Sequence, residues 1–240
     1  MAETILTFKR YEKKYLLSAE KYTRLMEALE GKIVPDRFHE STVCSIYYDT
    51  DNFELIRHSI EAPVYKEKLR VRSYGVPAED GEVFVELKKK FKGIVYKRRV
   101  RMTAAEAESW LSGESPAPKE GQTIREIEWV LKSYQLRPRV LIACDRVAWV
   151  ASDNPELRIT FDHDLRWRET QLHLTEGSHG ESLTEEGQVL MELKIPGAAP
   201  LWLARLLSEL EIFPQSFSKY GRSYKSALLE KYINGVIYSA

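Results

Sequence analysis

Several segments of the chain carry a charged residue at every second position. Lys66, Lys68, Arg70 and Arg72 fall on one parity of KEKLRVR. In EVFVELKKK, Glu86, Lys88 and Lys90 alternate with Val83, Val85 and Leu87. LRITFD sets Arg158, Thr160 and Asp162 against Leu157, Ile159 and Phe161, and VLMELKI sets Glu192 and Lys194 against Met191, Leu193 and Ile195. Side chains on a strand point to opposite faces with period two. These segments therefore predict a sheet with one apolar face and one face of Lys, Arg and a few Glu. Such a face is either solvated or built to meet a polyanion.

Elsewhere the pattern predicts further elements. Residues 5–17 read as a strand, and Ser18 caps a helix that runs to Gly31, with Leu25, Met26 and Leu29 on its apolar side. VCSIYY at 43–48 is a strand, and DTDNFELIRHSIE turns into a short helix. Strands follow at 64–74, 82–91 and 94–102. Thr103 with Glu106 forms a capping-box pattern before a helix through Leu111, and Thr123 with Glu126 repeats it before a helix to about Leu136. Strands at 139–150 and 156–162 flank the SDNP turn; a polar loop spans 176–187, and another strand spans 188–195. A helix near 200–210 and a last one over 219–236 complete the chain. About eight hairpin-spaced strands with helices between them predict an α+β fold with an antiparallel sheet in one domain, 1–240.

Composition narrows the function. Lys+Arg and Asp+Glu are 36 each, so any anion site must arise from local sorting of charge. Cys44 and Cys144 lie in apolar runs without metal-ligand spacing and read as buried thiols. The N-terminal MAETILTFKRYEKKY has no apolar core of a secretory signal, and no run is long enough to span a bilayer, so a cytoplasmic location is expected. There is no phosphate-binding G-x-x-x-x-G-K-[ST] loop, no G-x-G-x-x-G turn, no G-x-S-x-G elbow and no paired histidine spacing. The aromatic-basic signature of an RNA platform is also absent, and no nucleic-acid partner is expected.

If the sheet closed into a barrel with the charged face inward, its cations would converge on a channel. Burying them is costly unless an anion compensates, and a chain of phosphates would do so. A few Glu in the same field would suit a hard divalent cation that also holds phosphate oxygens. The apolar face would then lie outside under the amphipathic helices. The competing reading is an ordinary sheet with its polar face in water. Like charges across neighbouring strands destabilise a sheet, so their repetition favours a polyanion site.

The ordered set RYEKKYLL, YKEKLRVRSYG, VFVELKKK, DRVAW, LRITFDHDL, MELK and FSKYGRS resembles the VTC-type polyphosphate polymerase domain, a branch of the triphosphate tunnel metalloenzymes, over about residues 6–230. The resemblance implies a closed eight-stranded antiparallel barrel with helices packed outside and a basic tunnel. It implies transfer of the ATP γ-phosphate to a growing polyphosphate chain with Mn²⁺ or Mg²⁺, ATP and polyphosphate or pyrophosphate being the ligands. The superfamily's E-x-E-x-K reads Arg10-x-Glu12-x-Lys14 here. By match, Lys14, Arg70, Arg72, Lys88, Arg146, Arg158 and Lys219 would be catalytic. Arg10, Lys68, Lys90, Lys97, Arg99 and Lys194 would bind substrate, and Glu192, Glu12 and Glu86 would hold metal. Ser216 and Cys144 depart from a lysine and a tyrosine found in the family. Two alternatives stand beside the metal and phosphate roles: Glu12 and Glu86 pairing with neighbouring cations, and Arg146 pairing with Asp162. Lys13, Lys89 and Lys92 read as solvated. The SPX and transmembrane regions that accompany eukaryotic relatives are not in this sequence, so the expectation is of no membrane segment of its own and of action with a membrane or another partner protein. A triphosphatase, or a non-catalytic polyphosphate-binding module, is the alternative function.

Overall fold

The alternating segments all form strands. The computed structural model describes residues 10–225 apart from Gly93, with nine strands and six helices among them. Strand pairing is antiparallel in every register determined. Two compact units arise among the described residues, one within 42–144, 165–183 and 218–225, the other within 10–41, 145–164 and 184–217.

In the first unit, β2 (Ile33–Asp49) pairs through its second half with β3 (Tyr65–Tyr74), β3 with β4 (Glu82–Phe91), and β4 with β5 (Ile94–Thr103). Leu69, Val71, Val83, Val85, Leu87 and Met102 share one face. They pack on Ala107, Trp110 and Leu111 of α3 (Ala104–Ser112) and on Ile124, Ile127 and Val130 of α4 (Gln122–Tyr134). The Thr103–Glu106 capping box forms as predicted, and Gly113 ends α3 at φ 85°, where a side chain would be strained. The second predicted box does not form: α4 begins at Gln122 with Gly121 at its cap and no capping side chain. Asp49 ends β2 and caps α2 (Glu54–Ile60), accepting N–H bonds from Leu55 at 2.9 Å and Ile56 at 3.0 Å. Buried Arg168 donates to the carbonyls of Gln171, His173, Gly177 and His179, fixing the loop beyond its strand.

In the second unit, β1 (Arg10–Leu17) pairs with β9 (Val189–Pro196), and β9 with β7 (Arg158–Arg168). Tyr15, Leu17, Met191, Leu193, Ile195, Ile159 and Phe161 face Leu25 and Leu29 of α1 (Ala19–Leu29) and Leu203 and Leu207 of α5 (Leu201–Glu209). Ser18 caps α1 as predicted. In both units the apolar parity lies under helices, which leaves the charged parity on the other face.

Three strands are longer than their patterns. β2 starts at Ile33, where IVPDRFHEST shows no alternation because those residues, Ile33 apart, are exposed or half-buried. β6 (Arg137–Ala151) and β7 also extend beyond their expected ends, β7 to Arg168. A two-residue strand, β8 (Glu181–Ser182), sits in the polar loop and pairs with β7. Of the last predicted helix, α6 (Lys219–Ser223) is described; residues 5–9 and 226–236 lie outside the described residues. Cys44 and Cys144 are buried and not joined in a disulfide. The hydrogen-bonded strand order begins at β1 and ends at β5, and hydrogen bonds among the described residues do not close it.

Candidate functional site

Register fixes which charged side chains share a face. In the β2–β5 unit, Ser45 lies opposite Arg72 and Tyr47 opposite Arg70. Lys66 is opposite Lys90, Lys68 opposite Lys88, and Arg70 opposite Glu86. Lys88 in turn faces Lys97, Glu86 faces Arg99, and Phe84 faces Arg101. One face thus carries the cations Lys66, Lys68, Arg70, Arg72, Lys88, Lys90, Lys97, Arg99 and Arg101, with Glu82 and Glu86 the carboxylates among them.

Glu86 is the electrostatic centre of this face. Its side chain is 1% exposed. Arg70 reaches one carboxylate oxygen, Oε2, through Nε at 2.8 Å and Nη2 at 2.6 Å, and Lys97 Nζ lies 2.5 Å from the other. Burial alone would push the carboxyl up, but Arg70, Arg72 and Lys97 override it and hold the group at about 2. Arg70 also donates from Nη1 to the Tyr47 hydroxyl at 3.1 Å. Burial opposes ionisation of Tyr47, yet the fields of Arg70, Arg72 and Lys68 prevail and bring it down to about 8. The Tyr47 ring stacks on Tyr220 with centroids 4.8 Å apart, and the Tyr220 hydroxyl donates to Asp49 at 2.8 Å. Arg72 Nε donates to Ser45 Oγ at 3.1 Å, and Lys68 Nζ to Ser218 Oγ at 3.2 Å. Ser218 caps α6, whose first residue is half-buried Lys219. Arg99 lies over the Phe84 ring at 4.8 Å, and Lys88 and Lys90 are exposed.

The β1–β9–β7 unit carries a second cluster. Lys14 lies opposite Glu192, and Glu12 opposite Lys194. Glu192 is also opposite Thr160, and Lys194 opposite Arg158. Lys14 Nζ stands 3.3 Å from Glu192 and 3.6 Å from Glu12. Arg146 grips Asp162 with both ends of its fork, at 2.5 and 2.8 Å, while Nη2 stands 3.6 Å from Glu192. The alternative pairing of Arg146 with Asp162 is therefore present, together with a contact to Glu192. Arg158 pairs with Asp36 at 2.8 Å. Burial strips water from Lys194 and, with Arg146 and Arg158 adding repulsion against the pull of Glu192 and Glu12, lowers its ammonium to about 8. The Thr160 hydroxyl is buried and has no hydrogen-bond partner among the described residues.

The sequence-predicted site residues thus fall in one of two clusters, except Arg10, whose side chain lies outside those described, and Lys219, which is placed only at the start of α6. Lys13 is exposed, whereas Lys89 pairs with Glu126 at 3.5 Å. Sequence reasoning missed Ser45, Tyr47, Asp36 and Ser218. Tyr47 had a usable signal, since its parity on 43–48 is that of a strand beside Arg70. Asp36 had none, lying in the stretch without alternation.

For a divalent cation, Glu12 and Glu192 offer hard oxygen donors that already share one ammonium. Two carboxylates plus water and phosphate oxygens form a usual set for Mg²⁺, so these residues fit such an ion. Glu86 is held by Arg70 and Lys97 in the other cluster. No group of three or more His, Cys, Asp or Glu able to hold a metal occurs among the described residues. No helix among them is long and apolar enough to cross a membrane.

Solved structures share this fold. A candidate adenylate cyclase from Bacillus halodurans superposes with a TM-score of 0.55 at 15% identity, over 86% of this chain and 92% of its own. A candidate adenylyl cyclase from Hippeastrum, described as having a dominant triphosphatase activity, gives 0.51 at 15% identity, over 90% and 94%. No curated protein matches the sequence. At these identities the likeness is one of fold. The VTC domain family matches residues 9–228, and the chain belongs to that family.

Proposed function

We propose that the protein is a phosphotransferase that lengthens inorganic polyphosphate from ATP. The observation that carries this reading is the β3–β5 face, where nine cations meet two carboxylates. Such a face suits a ligand with a negative charge on every phosphate, and ATP and polyphosphate share that backbone. In the reaction, a terminal oxygen of the polyphosphate chain forms a bond to the γ-phosphorus of ATP. The bond from that phosphorus to the β–γ bridging oxygen breaks, and ADP leaves with the electron pair. The attacking oxygen is already ionised, so positioning and charge neutralisation suffice without a general base. Arg70, Arg72, Lys88 and Lys219 would hold phosphates in one cluster, and Lys14, Arg146 and Arg158 in the other. Lys68, Lys90, Lys97 and Arg99 would extend the first cluster, and Lys194 and Arg10 the second. Glu86 keeps Arg70 aimed, and Tyr47 adds a hydroxyl beside it.

Glu12 and Glu192 would hold Mn²⁺ or Mg²⁺, which when bound neutralises phosphate oxygens. Lys14, which both carboxylates face, would then turn to phosphate. The same cations serve a triphosphatase when water is the acceptor, the activity named for the Hippeastrum protein. Arg10 in place of the first glutamate of E-x-E-x-K favours the polymerase. Stoichiometry separates the two. With ATP and Mn²⁺, a polymerase releases ADP with little orthophosphate, whereas one orthophosphate per ADP would overturn the proposal in favour of hydrolysis. Binding of ATP without ADP release would leave only a binding module.

A further inference from the structure

The far end of the β4–β5 hairpin is built unlike the rest of the charged sheet. Among the described residues, six of the fourteen exposed large apolar side chains lie there: Val64, Tyr65, Phe91, Ile94, Val95 and Tyr96, each 38–64% exposed. Register brings them together, since Tyr65 is opposite Phe91 and Phe91 opposite Ile94, while the Lys92 N–H donates to the Val64 carbonyl at 3.0 Å. The exposure is two-sided. Tyr65, Phe91, Ile94 and Tyr96 occupy one face of the ribbon, and Val95 occupies the other beside Lys90. From Ile94 to Arg99 every residue of β5 is exposed.

Behind and around this apolar end stand cations. From Lys88 to Arg101 the sequence holds eight Lys and Arg and no Asp or Glu. Four of them are answered, Lys89 at 3.5 Å and Arg98 at 3.2 Å by Glu126 of α4, Lys97 by Glu86 and Arg101 by Glu82. Lys92 lies over the Phe91 ring at 5.4 Å, and Lys90 faces Lys66 directly across the strands. Two lysines so opposed are stabilised by an external anion. At about 3.3 Å per residue, Lys90 and Lys97 sit roughly 3–10 Å behind the apolar tip. That matches the depth over which an interfacial segment passes from acyl chains to headgroups.

We propose that this hairpin end docks on an anionic lipid surface, with Phe91, Ile94 and Val95 entering the headgroup–acyl boundary and Lys66, Lys90 and Lys92 meeting lipid phosphates. A protein partner covers one face of a ribbon; a bilayer closes round a narrow tip on both faces, which is where the apolar residues are. The proposal concerns location; it shares Lys66 and Lys90 with the cation face, so its test leaves both lysines intact.

Flotation of the full chain with vesicles tests it, comparing phosphatidylcholine alone with phosphatidylcholine containing 30% phosphatidylglycerol. The wild type is expected to float only with the anionic vesicles. Phe91→Ser/Ile94→Ser is expected to bind at least tenfold more weakly, and Lys92→Glu several-fold more weakly, with thermal midpoints of all variants close to wild type. ADP release from ATP in solution should be unchanged in these variants, so loss of docking and loss of catalysis are told apart. Failure of the wild type to float overturns the proposal. So does retained binding in the apolar double variant, which would mark a purely electrostatic anion site. So does lipid-independent self-association through β5, which would mark a second copy as the occupant.

Discussion

Replacing Glu86 by Gln keeps the shape of the side chain and removes the one buried charge that answers Arg70 and Lys97. The carboxyl is held at about 2 against an ordinary 4.5. At about 1.4 kcal/mol per pKa unit, that shift corresponds to roughly 3 kcal/mol of folding stability. Loss of one partner from a buried pair costs a similar amount, about 3–5 kcal/mol. For a chain of this length about 1 kcal/mol moves the midpoint roughly 2–4 °C, so Glu86→Gln is expected to melt about 6–12 °C lower at pH 7. The sign with pH follows from linkage. A carboxylate with a depressed folded pKa contributes its full stability above its unfolded value of 4.5 and loses it as pH falls toward 2. Wild-type and variant midpoints should therefore converge between those limits. Scanning calorimetry in a phosphate-free buffer measures this, and added tripolyphosphate should narrow the gap at pH 7 by supplying the missing negative charge. A midpoint within 2 °C of wild type at pH 7, or a gap that persists undiminished at low pH, would refute the electrostatic account of this face.

Tyr47, lowered to about 8, should give a tyrosinate absorbance step near 295 nm between pH 7 and 9. Tripolyphosphate should move that step upward, and Tyr47→Phe should abolish it; no tyrosinate below pH 9 in the wild type would count against the reading. Lys194 releases its proton near 8 when folded and near 10.5 when unfolded, so the unfolded state binds more protons in between and stability rises with pH there. Lys194→Met should flatten that rise in pH-dependent melting, and should also flatten the loss of tripolyphosphate affinity on passing pH 8, measured by titration calorimetry. Arg168→Ala removes a buried guanidinium bound to four carbonyls and should cost about 3 kcal/mol, with early proteolytic cleavage between 171 and 179. Cleavage and stability like those of wild type would show the clamp to be dispensable.

Period-two charge was legible because each strand has one face under helices and one face of cations, a contrast that alternation records directly. Leu69, Val85 and Leu193 were readable as core, and Lys68, Arg70 and Glu192 as the opposite face, without any knowledge of pairing. The first half of β2 was not legible: it is exposed along most of its length, and backbone pairing leaves no mark in side-chain type. Asp36, the partner of Arg158, was lost with it. The Thr123–Glu126 pattern misled because the residue at the cap is Gly121, set by the turn before the helix. Sequence gave the identities of the candidate cations but not their partners. That Glu86 sits between Arg70 and Lys97, while Glu12 and Glu192 share Lys14, depends on strand register, which a single sequence does not encode locally.

The cation clusters are proposed to serve chain growth. Phosphorus-31 NMR of the protein with ATP and Mn²⁺, recorded after removal of the metal, tests it most directly. The account predicts a growing resonance of internal polyphosphate groups matched by ADP, absent in Arg70→Ala and in Glu192→Ala. Orthophosphate as the product, with no internal-phosphate signal, would contradict it.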